Sequence, residues 1–250
     1  MQEKTIFDKV LNQFCIDNVE DEKISVEFEI KDIEKYNGHI ITPDNITLPI
    51  KIVIDKKEID NYKENYCQVY CTIYHELVHV LDYYNYCREF FDGNYQLMQS
   101  NKNFYTFYLW SEFNAKRKSY IYYRNLLQGN ASKENQLNAL INVEIPFIND
   151  NIDNEINNYN GGDLLYYIIH YLGRYMVWEE IYPEVINNYS YINKNVKMIL
   201  DDKFKPLYRF LKMHKEMPSN IEEWNEFKSL INICNFNVTV YLAKKLELKN

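Results

Sequence analysis

With 250 residues, 46% of them hydrophobic and 26% charged, the chain can bury the core of one large domain or of two lobes packed together. A formal net charge of −8 argues against an unassisted nucleic-acid binder. No window approaches the roughly 18 uninterrupted apolar residues that a membrane span needs, so the chain reads as soluble with no membrane partner.

In chain order, the opening MQEKTIFDKVLNQF mixes charge with short apolar groups and lacks the roughly 7–15-residue apolar core of a secretion signal. A cytoplasmic protein is expected. Its five cysteines, Cys15, Cys67, Cys71, Cys87 and Cys234, fit that reading as free thiols, with Cys67 and Cys71 as small buried side chains. Residues 6–16 predict a short helix. Residues 24–30 (ISVEFEI) alternate apolar and charged, as a half-buried strand does, and 48–55 (LPIKIVID) do the same after a polar turn at 42–45. Two or three strands are thus expected ahead of residue 66, with 50–54 as the edge strand able to hold an extended peptide.

The segment 72–81 then carries HELVH within an apolar stretch. On a helix His75 and His79 project from the same face one turn apart, so two imidazole nitrogens can reach one metal ion, for which zinc is the expected element. Glu76 stands beside that face, where a carboxylate can take a proton from a metal-held water without being a ligand. Asp82 follows on the same face, either as a ligand or as an acceptor for a histidine N–H; three ligands from one straight helix make poor tetrahedral geometry, which favours the second role.

Residues 104–128 predict a long helix with Glu112 at its centre, flanked by Trp110 and Ser111 before it and by Phe113, Asn114 and Ala115 after it. A carboxylate in such an apolar turn needs a cation nearby or it keeps its proton, and a zinc ion would be that cation. The alternative is a surface glutamate pairing with Lys116 one turn on. Lys116, Arg117 and Lys118 read as the solvated face of this helix.

Beyond residue 130 the pattern is helical, with 3.6-type periodicity over 135–151, 163–188 and 193–217. Asn158 to Gly162 form a break, in which Gly161 and Gly162 read as a loop before a helix cap at Asp163. Residues 238–242 are apolar enough for a late strand or a helix end. His170 lies on an aromatic helix and is either a core side chain or a donor that stabilises an oxyanion; Tyr167, Tyr171 and Tyr175 are the tyrosine candidates for that donor.

HELVH followed by Trp110-Ser-Glu-Phe-Asn-Ala115 resembles the HExxH…ExxA pattern of gluzincin-type zinc metallopeptidases, most nearly the ImmA/IrrE-like family, over about residues 48–127. The resemblance implies a zincin-like α+β fold. It also implies that His75, His79 and Glu112 bind one zinc ion and that Glu76 is the general base. The reading is a narrow-specificity cytoplasmic peptidase acting on a peptide or protein target. Residues 1–130 would form the metal-binding lobe and 131–250 a helical lobe completing the cleft. A different class stays open: a non-catalytic interaction module with a structural or degenerate HExxH site.

Overall fold

A computed structural model of the chain describes residues 2–18, 25–34, 36–128, 131–158, 163–187 and 189–247. Ile24, the expected Gly161-Gly162 loop and Asn188 lie outside the described residues. The order is α1 (Gln2–Asn18), β1 (Val26–Lys31), β2 (Gly38–Ile41), β3 (Ile50–Asp55), α2 (Lys56–Asp60), α3 (Tyr66–Phe91), α4 (Tyr95–Gln99) and α5 (Phe104–Gln128). There follow α6 (Lys133–Ala139), α7 (Ile145–Asn157), α8 (Leu164–Ile181), α9 (Lys194–Leu200), α10 (Phe204–Met213) and α11 (Ile221–Glu247). The class is α+β, a small three-stranded sheet in a mostly helical chain. No described helix is long and apolar enough to cross a membrane. The chain divides into two compact units, Met1–Phe104 with Lys118–Gly129, and Tyr105–Arg117 with Asn130–Asn250.

In the first unit the strand order is β1-β3-β2. β3 lies in the middle, parallel to β1 with Phe28 opposite Ile52, and antiparallel to β2 with Ile40 opposite Ile52. The expectation that 50–54 forms an edge is therefore corrected. Ile50, Ile52, Val53 and Ile54 are all buried, because a strand paired on both sides and covered on both faces has no wet side. The edges are β1 and β2, and β2 has only four residues beginning with glycine, too short for an alternation to show. Phe7 of α1 stacks on Phe28 of β1 with ring centroids 4.3 Å apart.

Asp55 ends β3 and caps α2, its carboxylate accepting from Lys57 N at 3.2 Å. Asn65 caps the 26-residue α3 by accepting from Gln68 N. Within this unit α3 runs antiparallel to the flanking parts of α5. Cys71 Sγ donates to Ser119 O at 3.4 Å, Tyr74 stacks on Tyr122 at 4.4 Å, and Tyr83 meets Phe104 edge-on at 6.0 Å. The Tyr74 hydroxyl donates to Asp17 Oδ2 and accepts from Asn18 Nδ2, tying α3 to α1.

The second unit has an aromatic core where Trp110 packs against Trp224 at 6.0 Å and Phe210 stacks on Phe227 at 4.7 Å. The Trp110 indole N–H donates to His214 O at 2.9 Å. The helix expected over 135–151 is interrupted by a π turn at Leu140–Glu144, beside Pro146, whose missing N–H and ring do not fit a regular i→i−4 ladder. Likewise 193–217 divides at a 3₁₀ turn over Asp201–Lys203, and α10 ends at Met213. Residues 238–242 belong to α11.

Candidate metal centre

The first unit supplies the HELVH side chains from the middle of α3. His75 and His79 stand with their Nε2 atoms 3.0 Å apart and their rings at 86° to each other. Two imidazole nitrogens on one tetrahedral zinc, each about 2.0–2.1 Å from it, are separated by about 3.3 Å. The observed pair would need to open by only a few tenths of an ångström.

Glu76 is buried, 6% exposed, and turns toward the sheet edge. A Cβ placed on Gly38 would lie 3.1 Å from both Cγ and Oε1 of Glu76 and 3.1 Å from Cδ1 of Ile54. Gly38 thus leaves the space that the Glu76 side chain occupies, a role the sequence reading missed. The signal available was a glycine opening the short apolar run Gly38-His39-Ile40-Ile41. Asp82 is buried on α3, one turn beyond His79.

The second unit supplies Glu112 and His170. Residues 105–117 of α5 run parallel to α8 in a constant register: the Tyr105 hydroxyl donates to Asp163 Oδ2 at 2.5 Å, Tyr108 stacks on Tyr166 at 6.0 Å, and His170 Nε2 donates to Glu112 Oε2 at 2.6 Å. Asp163 is also the cap of α8, accepting from Tyr166 N at 3.1 Å. The helices approach closely at Gly173, where a Cβ would come within 2.9 Å of the Phe113 carbonyl oxygen.

Glu112 is only 5% exposed, so it is not a surface glutamate, and its carboxylate accepts from the His170 imidazole. Burial lowers the His170 pKa to about 4, against the opposing pull of Glu112; Lys116 and Arg174 push it down further. An N–H held on a carboxylate at this distance fixes the carboxylate's orientation, and it commits Nε2 of His170 to Glu112.

Of the tyrosine candidates, Tyr171 accepts from Asn193 N at 2.7 Å and donates to Asn149 Oδ1 at 3.0 Å, which occupies its hydroxyl in the packing of α7 and α9. Tyr175 is fully buried against Trp178 and Tyr208. Tyr167 is half-buried. Arg117 does not lie on a solvated face: it is 8% exposed and pairs with Glu180 at 3.6 Å, because the α5 surface here is covered within its own unit.

Among the described residues, one group of side chains has the spacing to hold a metal ion: one ligand atom from each of His75, Glu112 and His170 lies within 4.8 Å of the others. His79 and Asp82 are not in that group. Imidazole nitrogen with carboxylate oxygen is a donor set that suits zinc. No protein-family model matches the chain, and neither a curated protein nor a solved structure is similar to it.

Proposed function

We propose that the chain is a zinc-dependent peptidase in which His75, His79 and Glu112 hold the metal, Glu76 is the general base and His170 positions Glu112. The observation that carries this reading is the pairing of two α3 imidazoles, 3.0 Å apart, with a buried carboxylate one residue after the first of them. Bound zinc would supply an acidified water and polarisation of the scissile carbonyl. Glu76 takes the proton from the attacking water and hands it to the departing amine nitrogen, so the peptide bond breaks as the new C–O bond forms and the carboxylate is regenerated. The space beside Gly38 lets that carboxylate stay on the sheet-edge side of α3. A narrow-specificity role on a protein target in the cytoplasm completes the reading.

His170 as a ligand in place of His79 is a second arrangement, favoured by the grouping of His75, Glu112 and His170. The separation of 2.6 Å between His170 Nε2 and Glu112 Oε2 fits a hydrogen bond better than the roughly 3.3 Å expected of two neighbouring ligand atoms on one zinc. Metal analysis of the purified chain should find about one zinc, and His79→Ala should lose it more readily than His170→Ala. Glu76→Gln should keep the zinc while turnover of a peptide library falls about 10²–10⁴-fold. A chain that takes up no zinc, or a Glu76→Gln variant that loses it, overturns the assignment.

A further inference from the structure

The second unit contains a cavity of about 320 Å³ between α7 and α8. This is at the small end of the roughly 300–1,000 Å³ of ligand pockets, the size for one residue of a larger ligand. α8 is otherwise a core helix, with Leu165, Ile168, Ile169, Leu172, Met176 and Val177 all buried. A half-buried stripe on it, Tyr167, His170 and Arg174 at helical spacing, faces this cavity.

The opposite wall is Ile148 and Ile152 of α7, with Glu155 beside them. The cavity therefore has aliphatic and aromatic sides, a guanidinium on the α8 wall and the Glu112–His170 pair next to it. Glu155 is exposed whereas Arg174 is half-buried, so solvent screens that carboxylate more than the guanidinium. Lys116, which like Arg174 acts electrostatically on His170, opposes the Glu112 carboxylate there. A group with a short apolar stem ending in a carboxylate complements these walls, since a planar guanidinium takes a carboxylate in two parallel hydrogen bonds.

We propose that this cavity is the specificity pocket of the chain and that it receives a carboxylate of the substrate on Arg174, from an acidic side chain or from the end of a peptide. The proposal rests on the peptidase reading for its role in catalysis, though not for binding.

The test uses three small probes on the zinc-loaded chain, with dissociation constants from ligand-observed saturation-transfer NMR. They are N-acetylglutamic acid α-amide, which offers a side-chain carboxylate, N-acetylalanine, which offers a terminal one, and N-acetylglutamine α-amide, which offers neither. At least one carboxylate probe should bind about tenfold or more tightly than the neutral one, and whichever does so identifies the source. Arg174→Gln should abolish that preference. Arg174→Lys keeps the charge without the two-pronged geometry and should retain part of it, and it serves in place of Arg174→Gln if the latter does not fold.

Equal binding of all three probes, or a preference that survives Arg174→Gln as it would if the carboxylate sat on the zinc, overturns the proposal. A preference that depends on Arg174 in a chain that hydrolyses no peptide would leave the pocket standing and remove the peptidase reading. Hydrolysis with no acidic preference would do the reverse.

Discussion

Gly173→Ala sets two effects of known size against each other at the junction that holds Glu112 against His170. In an exposed helix the change would stabilise by about 0.8–1.0 kcal/mol, since alanine loses less backbone freedom on folding. Here the new Cβ would stand 2.9 Å from the Phe113 carbonyl oxygen and 3.4 Å from both Arg117 N and Lys116 Cβ. The obstacle is backbone inside a helix, which cannot rotate away, so α5 and α8 must separate. Overpacking of this kind costs about 1–3 kcal/mol, and a backbone obstacle places it in the upper half of that range. The net expectation is destabilisation by about 1–2 kcal/mol, measured by urea unfolding followed by circular dichroism, with a fall in melting temperature of about 2–8 °C. Because Gly173 is one turn from His170, zinc affinity should fall as well. A variant more stable than the parent by the full helix-propensity gain would show that the two helices do not approach as described.

Glu112→Ala should weaken zinc binding more than Asp82→Ala in a competitive metal titration, since loss of an outer-shell partner costs about 10–100-fold and loss of a ligand costs more; the reverse order would make Asp82 the third ligand. Asn193→Ala should destabilise by about 2–3 kcal/mol in urea unfolding, because this buried side chain caps α9 at Asn195 N and Val196 N and donates to Asp153 Oδ1 at 2.9 Å. A loss within about 0.5 kcal/mol would remove that network from the account. Thiol labelling of the native chain near neutral pH should reach exposed Cys15 first, while Cys87 and Cys234, whose pKa values burial raises to about 11 and about 12, react only on unfolding. Rapid native labelling of either one would contradict their burial.

What was legible in the sequence was local. The helix over 104–128 has the predicted bounds because its periodicity is unbroken, and the HELVH helix announced itself by spacing alone. Of α11 only its end was read, at 238–242 as a late strand or a helix end, although its start carries a capping signal, Asn220 accepting from Glu223 N at 3.0 Å while Glu223 accepts from Ser219 N at 2.7 Å. What was not legible depends on pairing across the chain. The central place of β3 follows from partners on both sides, and the partnership of Glu112 with His170 joins residues 58 apart. Buried Arg117 read as surface because its partner Glu180 is equally remote.

Tyr105, Tyr108 and Glu112 are spaced by three and then four residues, and Asp163, Tyr166 and His170 repeat that spacing. Two parallel helices meeting at such positions form a short heptad seam, but one of hydroxyl, carboxylate, ring and imidazole instead of leucine. An aliphatic seam tolerates sliding, because one leucine greets another after each turn. This one has a single solution: a slip by a turn separates Asp163 from the Tyr105 hydroxyl, faces Tyr108 with His170 and moves the notch at Gly173 away from the Phe113 carbonyl. The seam therefore acts as a key in a lock. Insertions within α5 or α8 ahead of Glu112 or His170 should be rejected during the chain's divergence, whereas changes of length in the turn between α6 and α7 leave both sides of the key intact.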